Sequence, residues 1–319
     1  MIDFNQYFTN SEEYNFFRNK LSNNVSEFSR RLFPENLRIL SNMKCHTNCP
    51  GNIKHQGWCH SEGQVEKSSS LYYPSEKIID KIHRNFPFNT AKIIGVESIH
   101  IQETINLIKF LKNIGISDIG ITNCIESYNP EIIKTFKFAG LSRLTLSAHK
   151  FDLKYKQKLD TAYDQTISMK LDDFKINRVL LKSNFSDLDN LIRWIKGKKI
   201  TLRLFTLIKT RQNTKIVENE AIPWIGVSHL FLDEIKKVEI VDYSISCRLN
   251  FLFYLDNETK IETNMSYLPS YNSVKLINEC RSCDQINNCE EGFFGCGIRL
   301  GGDNKIYPCI LKPELSFEV

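Results

Sequence analysis

Between residues 36 and 207, six short apolar segments of strand type alternate with longer segments whose apolar residues recur at helical spacing. The strand segments are 36–41 (NLRILS), 91–97 (AKIIGVE), 118–123 (DIGITN), 143–147 (RLTLS), 174–181 (FKINRVLL) and 200–207 (ITLRLFTL). Between them, Ile78, Ile79 and Ile82 share one helical face, and Ile105, Leu107, Ile108, Phe110 and Leu111 carry a second helix closed by Gly115. Pro130 opens a third in the first-turn position that proline tolerates, and Gly140 closes it. Strands joined by helical crossovers are parallel neighbours, since a tight hairpin joins only antiparallel ones. Six units are too few for a closed eight-stranded barrel. The pattern predicts an α/β fold, a partial (β/α)6 barrel, with functional loops at the C-terminal strand ends.

The flanks differ from this core. Residues 1–35 read as a helical lead-in, with Phe16, Phe17, Leu21, Val25 and Phe28 at roughly helical spacing before Pro34. Beyond 209 the alternation becomes strand-like over 239–249, 250–255 and 260–265, with a turn at 256–259. The expected organisation is a lead-in (1–35), the partial barrel (36–208) and a small cluster-binding region (209–319).

Ten cysteines are distributed unevenly. Cys45, Cys49 and Cys59 follow the first strand in a C-x3-C-x9-C arrangement, between Trp58 and His60 at its end. Cys280, Cys283, Cys289, Cys296 and Cys309 form a second group, and only Cys124 and Cys247 stand apart. No apolar run approaches the roughly 18–20 residues of a membrane span, and residues 1–17 lack the basic-then-apolar order of a secretory signal. A cytoplasmic protein is expected, in which clustered thiols point to metal or redox chemistry rather than disulfides. Three thiolates on one loop can hold three corners of a 4Fe–4S cubane, leaving one iron open to a small molecule. A zinc site completed by His46, His55 or His60 is the alternative, as a four-cysteine zinc ribbon is for the second group. A net charge of +5, from 42 basic and 37 acidic residues, is too small to call for nucleic acid and suits an anionic small molecule.

The stretch LRILSNMKCHTNCP…GWCHSEG resembles the radical S-adenosylmethionine superfamily, and within it the GTP 3′,8-cyclase-like branch of molybdenum-cofactor biosynthesis. The resemblance runs over residues 30–312. It departs from the family between the second and third cysteines, where nine residues stand in place of two. That insertion raises loop-closure entropy by only about 1–1.5 kcal/mol, against metal-binding energies on the order of 10 kcal/mol. The resemblance implies Cys45, Cys49 and Cys59 as ligands of a cofactor-binding 4Fe–4S cluster. Gly95 and Glu97, in a Gly-Val-Glu-Ser that replaces the family's Gly-Gly-Glu-Pro, would contact the amino group of S-adenosylmethionine. Thr122, Asn123, Ser147 and Asn177 match further cofactor positions, and Arg203 matches an arginine that meets the cofactor carboxylate. The setting around Ile298-Arg299-Leu300 implies an auxiliary 4Fe–4S cluster on Cys280, Cys283, Cys289 and Cys309, with Cys296 as substitute, and Arg299 as a substrate contact.

The implied activity is reductive cleavage of S-adenosylmethionine to a 5′-deoxyadenosyl radical, which abstracts hydrogen from a nucleotide or other small metabolite. Cyclisation, rearrangement or C–C coupling would follow, with electrons from a donor such as flavodoxin or ferredoxin. A peptide-modifying radical enzyme and a non-catalytic zinc-binding interaction protein are the alternatives. Neither a membrane nor a nucleic-acid partner is expected.

Overall fold

The computed structural model describes residues 24–31, 36–41, 72–95, 100–207, 214–243, 248–266, 283, 297–309 and 312–319. In chain order its elements are β1 (Val25–Arg31), β2 (Asn36–Leu40), α1 (Glu76–Asn85), β3 (Thr90–Ile94), α2 (Ile101–Asn113), β4 (Asp118–Cys124), α3 (Pro130–Ala139) and β5 (Arg143–Ser147). There follow α4 (Leu153–Ser168), β6 (Asp173–Val179), α5 (Leu188–Ile195), β7 (Thr201–Phe205), α6 (Thr214–Glu220) and α7 (Trp224–Val227). The last are β8 (Lys237–Tyr243), β9 (Arg248–Tyr254), β10 (Lys260–Ser266), β11 (Ile298–Gly301), β12 (Lys305–Ile306) and β13 (Phe317–Glu318). All six expected strand segments are strands, and the fold is α/β, of the open, partial (β/α)6 barrel type.

Two compact units divide the chain, and each is discontinuous in sequence: Pro34–Ile176 with Cys296–Val319, and Met1–Phe33 with Asn177–Gly295. In the first unit the strand order is β5-β4-β3-β2-β11-β12-β13. Strands β2 to β5 are parallel and adjacent in chain order, and β11 is parallel to β2 on its other side. Right-handed crossovers between strands laid down in one direction place every connecting helix on the same face. That face is apolar: Leu37, Ile39, Ala91, Ile93, Ile119, Ile121, Leu144 and Leu146 are fully buried. The helices supply Ile79, Ile82, Leu107, Ile108, Leu111, Ile133 and Phe136 to the same core. Residues pointing the other way are mostly polar, among them Arg38, Lys92, Thr122, Arg143, Thr145 and Ser147. One sheet thus has a face for stability and a face for chemistry.

Helix boundaries follow local chemistry. Asn129 caps α3 by accepting from the Glu131 and Ile132 amides, Pro130 takes the first turn, and Gly140 ends the helix at φ +121°. Asp152 caps α4 through the Tyr155 amide.

In the second unit the order is β1-β8-β9-β10-β7. The β8, β9 and β10 strands form an antiparallel meander, while β1 is parallel to β8 and β10 is parallel to β7. Phe251 and Phe253 project from one face of β9 and pack with Trp224 and Phe231.

Residues 25–31 correct the expected helical lead-in; residues 1–23 lie outside the described residues. Their register against β8 shifts between Val25 and Glu27, so Val25 lies opposite Val238 and Phe28 opposite Ile240. A bulge inserts one residue into a strand. Apolar residues three apart then face the same side, which in sequence is indistinguishable from one helical turn.

Where β11 meets β2, Gly297 has φ +119°, and a β-carbon there would stand 2.7 Å from the backbone oxygen of Asn36. Gly297→Ala is therefore expected to destabilise the protein by about 1–3 kcal/mol through strain and displacement of β11. A thermal melt equal to the parent's would show that the strand tolerates the β-carbon.

Candidate cofactor and substrate site

The C-terminal end of β3 is built around one carbonyl. Gly95 follows the strand at φ +80°, a region that side-chain-bearing residues disfavour. Its oxygen accepts hydrogen bonds from the Ser41 hydroxyl at 2.9 Å and the Tyr72 hydroxyl at 2.8 Å. The Ser41 amide also donates to the Ile94 carbonyl at 3.1 Å. Tyr72 is held in turn by stacking on His100, with ring centroids 3.8 Å apart. Ser41 and Tyr72 flank residues 42–71, which carry Cys45, Cys49 and Cys59 and lie outside the described residues. Closing a segment of about thirty residues costs on the order of 3 kcal/mol. Two hydrogen bonds of about 1 kcal/mol each offset most of that. Both ends of the cysteine segment are thereby fixed at the strand end where the fold class places its functional loops.

The candidate cofactor residues fall into three groups. Thr122 and Asn177 each have a buried side-chain oxygen, Oγ1 and Oδ1, with no hydrogen-bond partner among the described residues. Such atoms call for a ligand or water, and they fit a polar cofactor. Asn123 and Arg203 have protein partners. The Asn123 Oδ1 accepts from the Cys124 amide at 2.8 Å and the Ser127 hydroxyl at 2.7 Å, shaping the turn after β4. Arg203 Nη2 lies 2.7 Å from Glu262, its register partner on β10, and its guanidinium lies 5.3 Å from the Phe205 ring centroid. Ser147 ends β5 beside Cys124. Glu97 lies outside the described residues.

Beyond Cys124, Glu126 accepts a hydrogen bond from the Tyr155 hydroxyl, with Lys158 and Lys154 at 3.7 and 3.9 Å. The Tyr155 hydrogen bond, aided by these lysines, holds the Glu126 carboxyl below the usual carboxylate range. Burial and the same contact push the Tyr155 hydroxyl up. This part of the rim is a rigid, charged brace between β4 and α4.

Register assembles a feature that no single segment shows. Arg299 on β11 pairs with Arg38 on β2, which pairs with Lys92 on β3. Paired residues of parallel strands point to the same face, about 4.8 Å apart. Three cations therefore form one row, two of them deeply placed: Arg38 is 8% exposed and Arg299 0%. Lys92 pairs with Gly120, and Gly120 with Arg143, whose side chain covers the glycine and meets Asp118 at 2.5 Å. Of the row, only Arg299 was singled out in the sequence; an isolated cation inside an apolar strand, as in NLRIL and TAKII, is the signal for Arg38 and Lys92.

Of the candidate cluster ligands, Cys283 and Cys309 are described and half-buried, and Cys280, Cys289 and Cys296 are not described. Among the described residues, no three His, Cys, Asp or Glu side chains converge as a metal site. Nor is any described helix long and apolar enough to cross a membrane.

No family model matches the chain. Curated proteins do. It is 27% identical over 313 residues to the probable GTP 3′,8-cyclase of Sulfurisphaera tokodaii, covering 92% of this chain and 86% of that protein. It is 24% identical over 312 residues to the probable GTP 3′,8-cyclase of Saccharolobus islandicus, and 26% over 278 residues to that of Thermoplasma volcanium. These cover 92% and 81% of this chain, and 88% and 78% of the respective proteins. A likeness to coproporphyrinogen III oxidase from Escherichia coli, a radical SAM enzyme, spans 77% of this chain and 70% of the other at 8% identity. Its TM-score of 0.34 is too low to carry an argument. The cysteine motif resembles that of radical S-adenosylmethionine enzymes, and the chain is similar over 92% of its length to curated probable GTP 3′,8-cyclases. In sequence it is therefore radical-S-adenosylmethionine-like, of the GTP 3′,8-cyclase type. Chemistry of that type runs on a 4Fe–4S cluster and S-adenosylmethionine.

The two hydroxyls on Gly95 are open to a direct test. Ser41→Ala combined with Tyr72→Phe should reduce the iron retained after anaerobic reconstitution by half or more, with the thermal melt lowered by a few degrees. Full iron occupancy in the double variant would detach the Gly95 carbonyl from cluster binding.

Proposed function

We propose that this enzyme binds its cluster through Cys45, Cys49 and Cys59 and holds S-adenosylmethionine along Gly95, Glu97, Thr122, Ser147 and Asn177. Asn123 supports that surface through its turn, and Arg203 faces the cofactor carboxylate. Held there, the cluster would pass one electron to S-adenosylmethionine, releasing methionine, and the 5′-deoxyadenosyl group so freed would leave as 5′-deoxyadenosine after taking one hydrogen atom from the substrate. The one-electron reductant is a donor of the flavodoxin or ferredoxin class. The observation that carries this reading is the convergence of both ends of the cysteine segment on the Gly95 carbonyl.

The substrate is an anionic small molecule, with a nucleotide favoured. Arg299, Arg38 and Lys92 grip its charged end, because guanidinium groups match phosphate oxygens in a fork. Leu300, next to Arg299, pairs with Ile306 on β12, and Cys309 follows three residues later. We assign an auxiliary cluster to Cys280, Cys283, Cys289 and Cys309, with Cys296 as substitute and residues 209–319 as its region. The protein's own work is to keep reacting atoms in register and exclude water, after which the substrate radical cyclises, rearranges or couples. The curated relatives are named for a GTP cyclisation, which makes GTP the first substrate to try. The reading places the enzyme in the cytoplasm.

Anaerobic reconstitution with iron and sulfide, then S-adenosylmethionine and dithionite, should yield 5′-deoxyadenosine, and Cys59→Ala should abolish it. Uptake of zinc alone, or iron uptake without cleavage, would sink the reading. Arg299→Leu removes a charge-assisted contact of about 1.5–3 kcal/mol. It should raise the substrate KM roughly tenfold or more while the Kd for S-adenosylmethionine stays within twofold. Equal losses for both ligands would remove Arg299 from the substrate site.

A further inference from the structure

The polar face of the second unit carries a feature that cofactor binding does not use. On β9, Leu249, Phe251 and Phe253 are fully buried on one face, so alternation turns Arg248, Asn250 and Leu252 to the other. Asn250 lies directly opposite Asn264 on β10, on the face that carries Glu262 and its partner Arg203. Because β10 is parallel to β7, Asn264 stands two residues beyond Glu262 towards the C-terminal end of β7, the end at which a ligand is expected. Arg248, 3% exposed, comes next on the same face, opposite Ser266.

Asparagine is a poor strand residue, and two facing each other in the middle of a meander have no structural task on view. The Asn250 Oδ1 is buried and has no hydrogen-bond partner among the described residues. A buried acceptor of this kind is paired in nearly all folded proteins. What it lacks is an N–H or O–H donor from outside the described chain. Two carboxamides on directly opposed residues offer acceptors and donors close together. That complements a planar heteroaromatic edge on which ring or exocyclic N–H groups adjoin an acceptor.

We propose that Asn250 and Asn264 form a base-reading subsite, which accepts from and donates to the edge of a nucleobase on the substrate. The inference rests on the radical-enzyme reading for the end of the sheet at which the ligand enters. It goes beyond that reading by assigning base recognition to two residues of the meander. Asn250 takes the base N–H through Oδ1, and Asn264 completes the edge from the neighbouring strand.

The test compares GTP with inorganic tripolyphosphate, which carries the charge without the base. Equilibrium dialysis on the reconstituted holoenzyme measures both dissociation constants for the parent, Asn250→Ala and Asn264→Ala. Each variant should weaken GTP about tenfold and tripolyphosphate less than twofold. Parental GTP affinity in both variants, equal losses for the two ligands, or a parent that does not prefer GTP to tripolyphosphate would each overturn the subsite. If Asn250→Ala fails to fold, Asn264→Ser carries the same comparison from the adjacent strand. Formation of 5′-deoxyadenosine by the parent is scored separately. Its absence overturns the radical reading and leaves the dialysis result to stand or fall by itself.

Discussion

A carbonyl oxygen that accepts two hydroxyls organises the functional end of this protein. The Gly95 oxygen can be reached by Ser41 and Tyr72 together because the residue sits at φ +80°, turning its peptide away from the line of β3. The segment bearing three cysteines leaves the sheet at one hydroxyl and returns at the other. The nine-residue spacing between Cys49 and Cys59 is tolerable under this constraint, since the ends of the segment stay fixed whatever its length. Metal-binding loops of unequal length can be grafted on one scaffold if their roots are tied.

The sheets divide their labour by face. In the first unit the helices cover the apolar face because consecutive parallel strands send every crossover the same way. The opposite face is then available to arginine, lysine, threonine and serine, and register sorts them into rows. The cations of Arg299, Arg38 and Lys92 share one row, while Thr122 and Thr145 share the next towards the strand ends. In the second unit, aromatic packing around Phe251 and Phe253 closes one face and leaves Asn250, Asn264, Glu262 and Arg203 on the other. The same alternation that makes each core also makes each polar surface.

Much of the fold was legible because strand–helix alternation is a local signal repeated many times. The β1 bulge was not, since one inserted residue gives Val25 and Phe28 the spacing of a helix. The cysteine motif was plain in the sequence, but Ser41 and Tyr72 were not: a hydroxyl on a distant carbonyl leaves no trace in composition or period. Arg38 and Lys92 were overlooked because each is a lone cation in its own strand and becomes part of a row only on pairing. Arg203 matches a position that meets the cofactor carboxylate; that it also pairs with Glu262 depends on β10 lying beside β7, and alternation says nothing of which strands become neighbours.

The placement of β11 beside β2 has a consequence for how the protein is made. Arg38 and Arg299 are adjacent in the sheet and about 260 residues apart in the chain. At ~5–20 residues per second, a ribosome takes roughly 13–50 s to travel from one to the other. Throughout that interval β2 has a bare edge, the kind of surface that recruits stray strands, and the cysteine segment rooted beside it has already been synthesised. In a nascent chain of this protein the cysteine segment is therefore complete long before the strand that closes the edge beside its root. Protection of that half-built edge falls in the same window of synthesis.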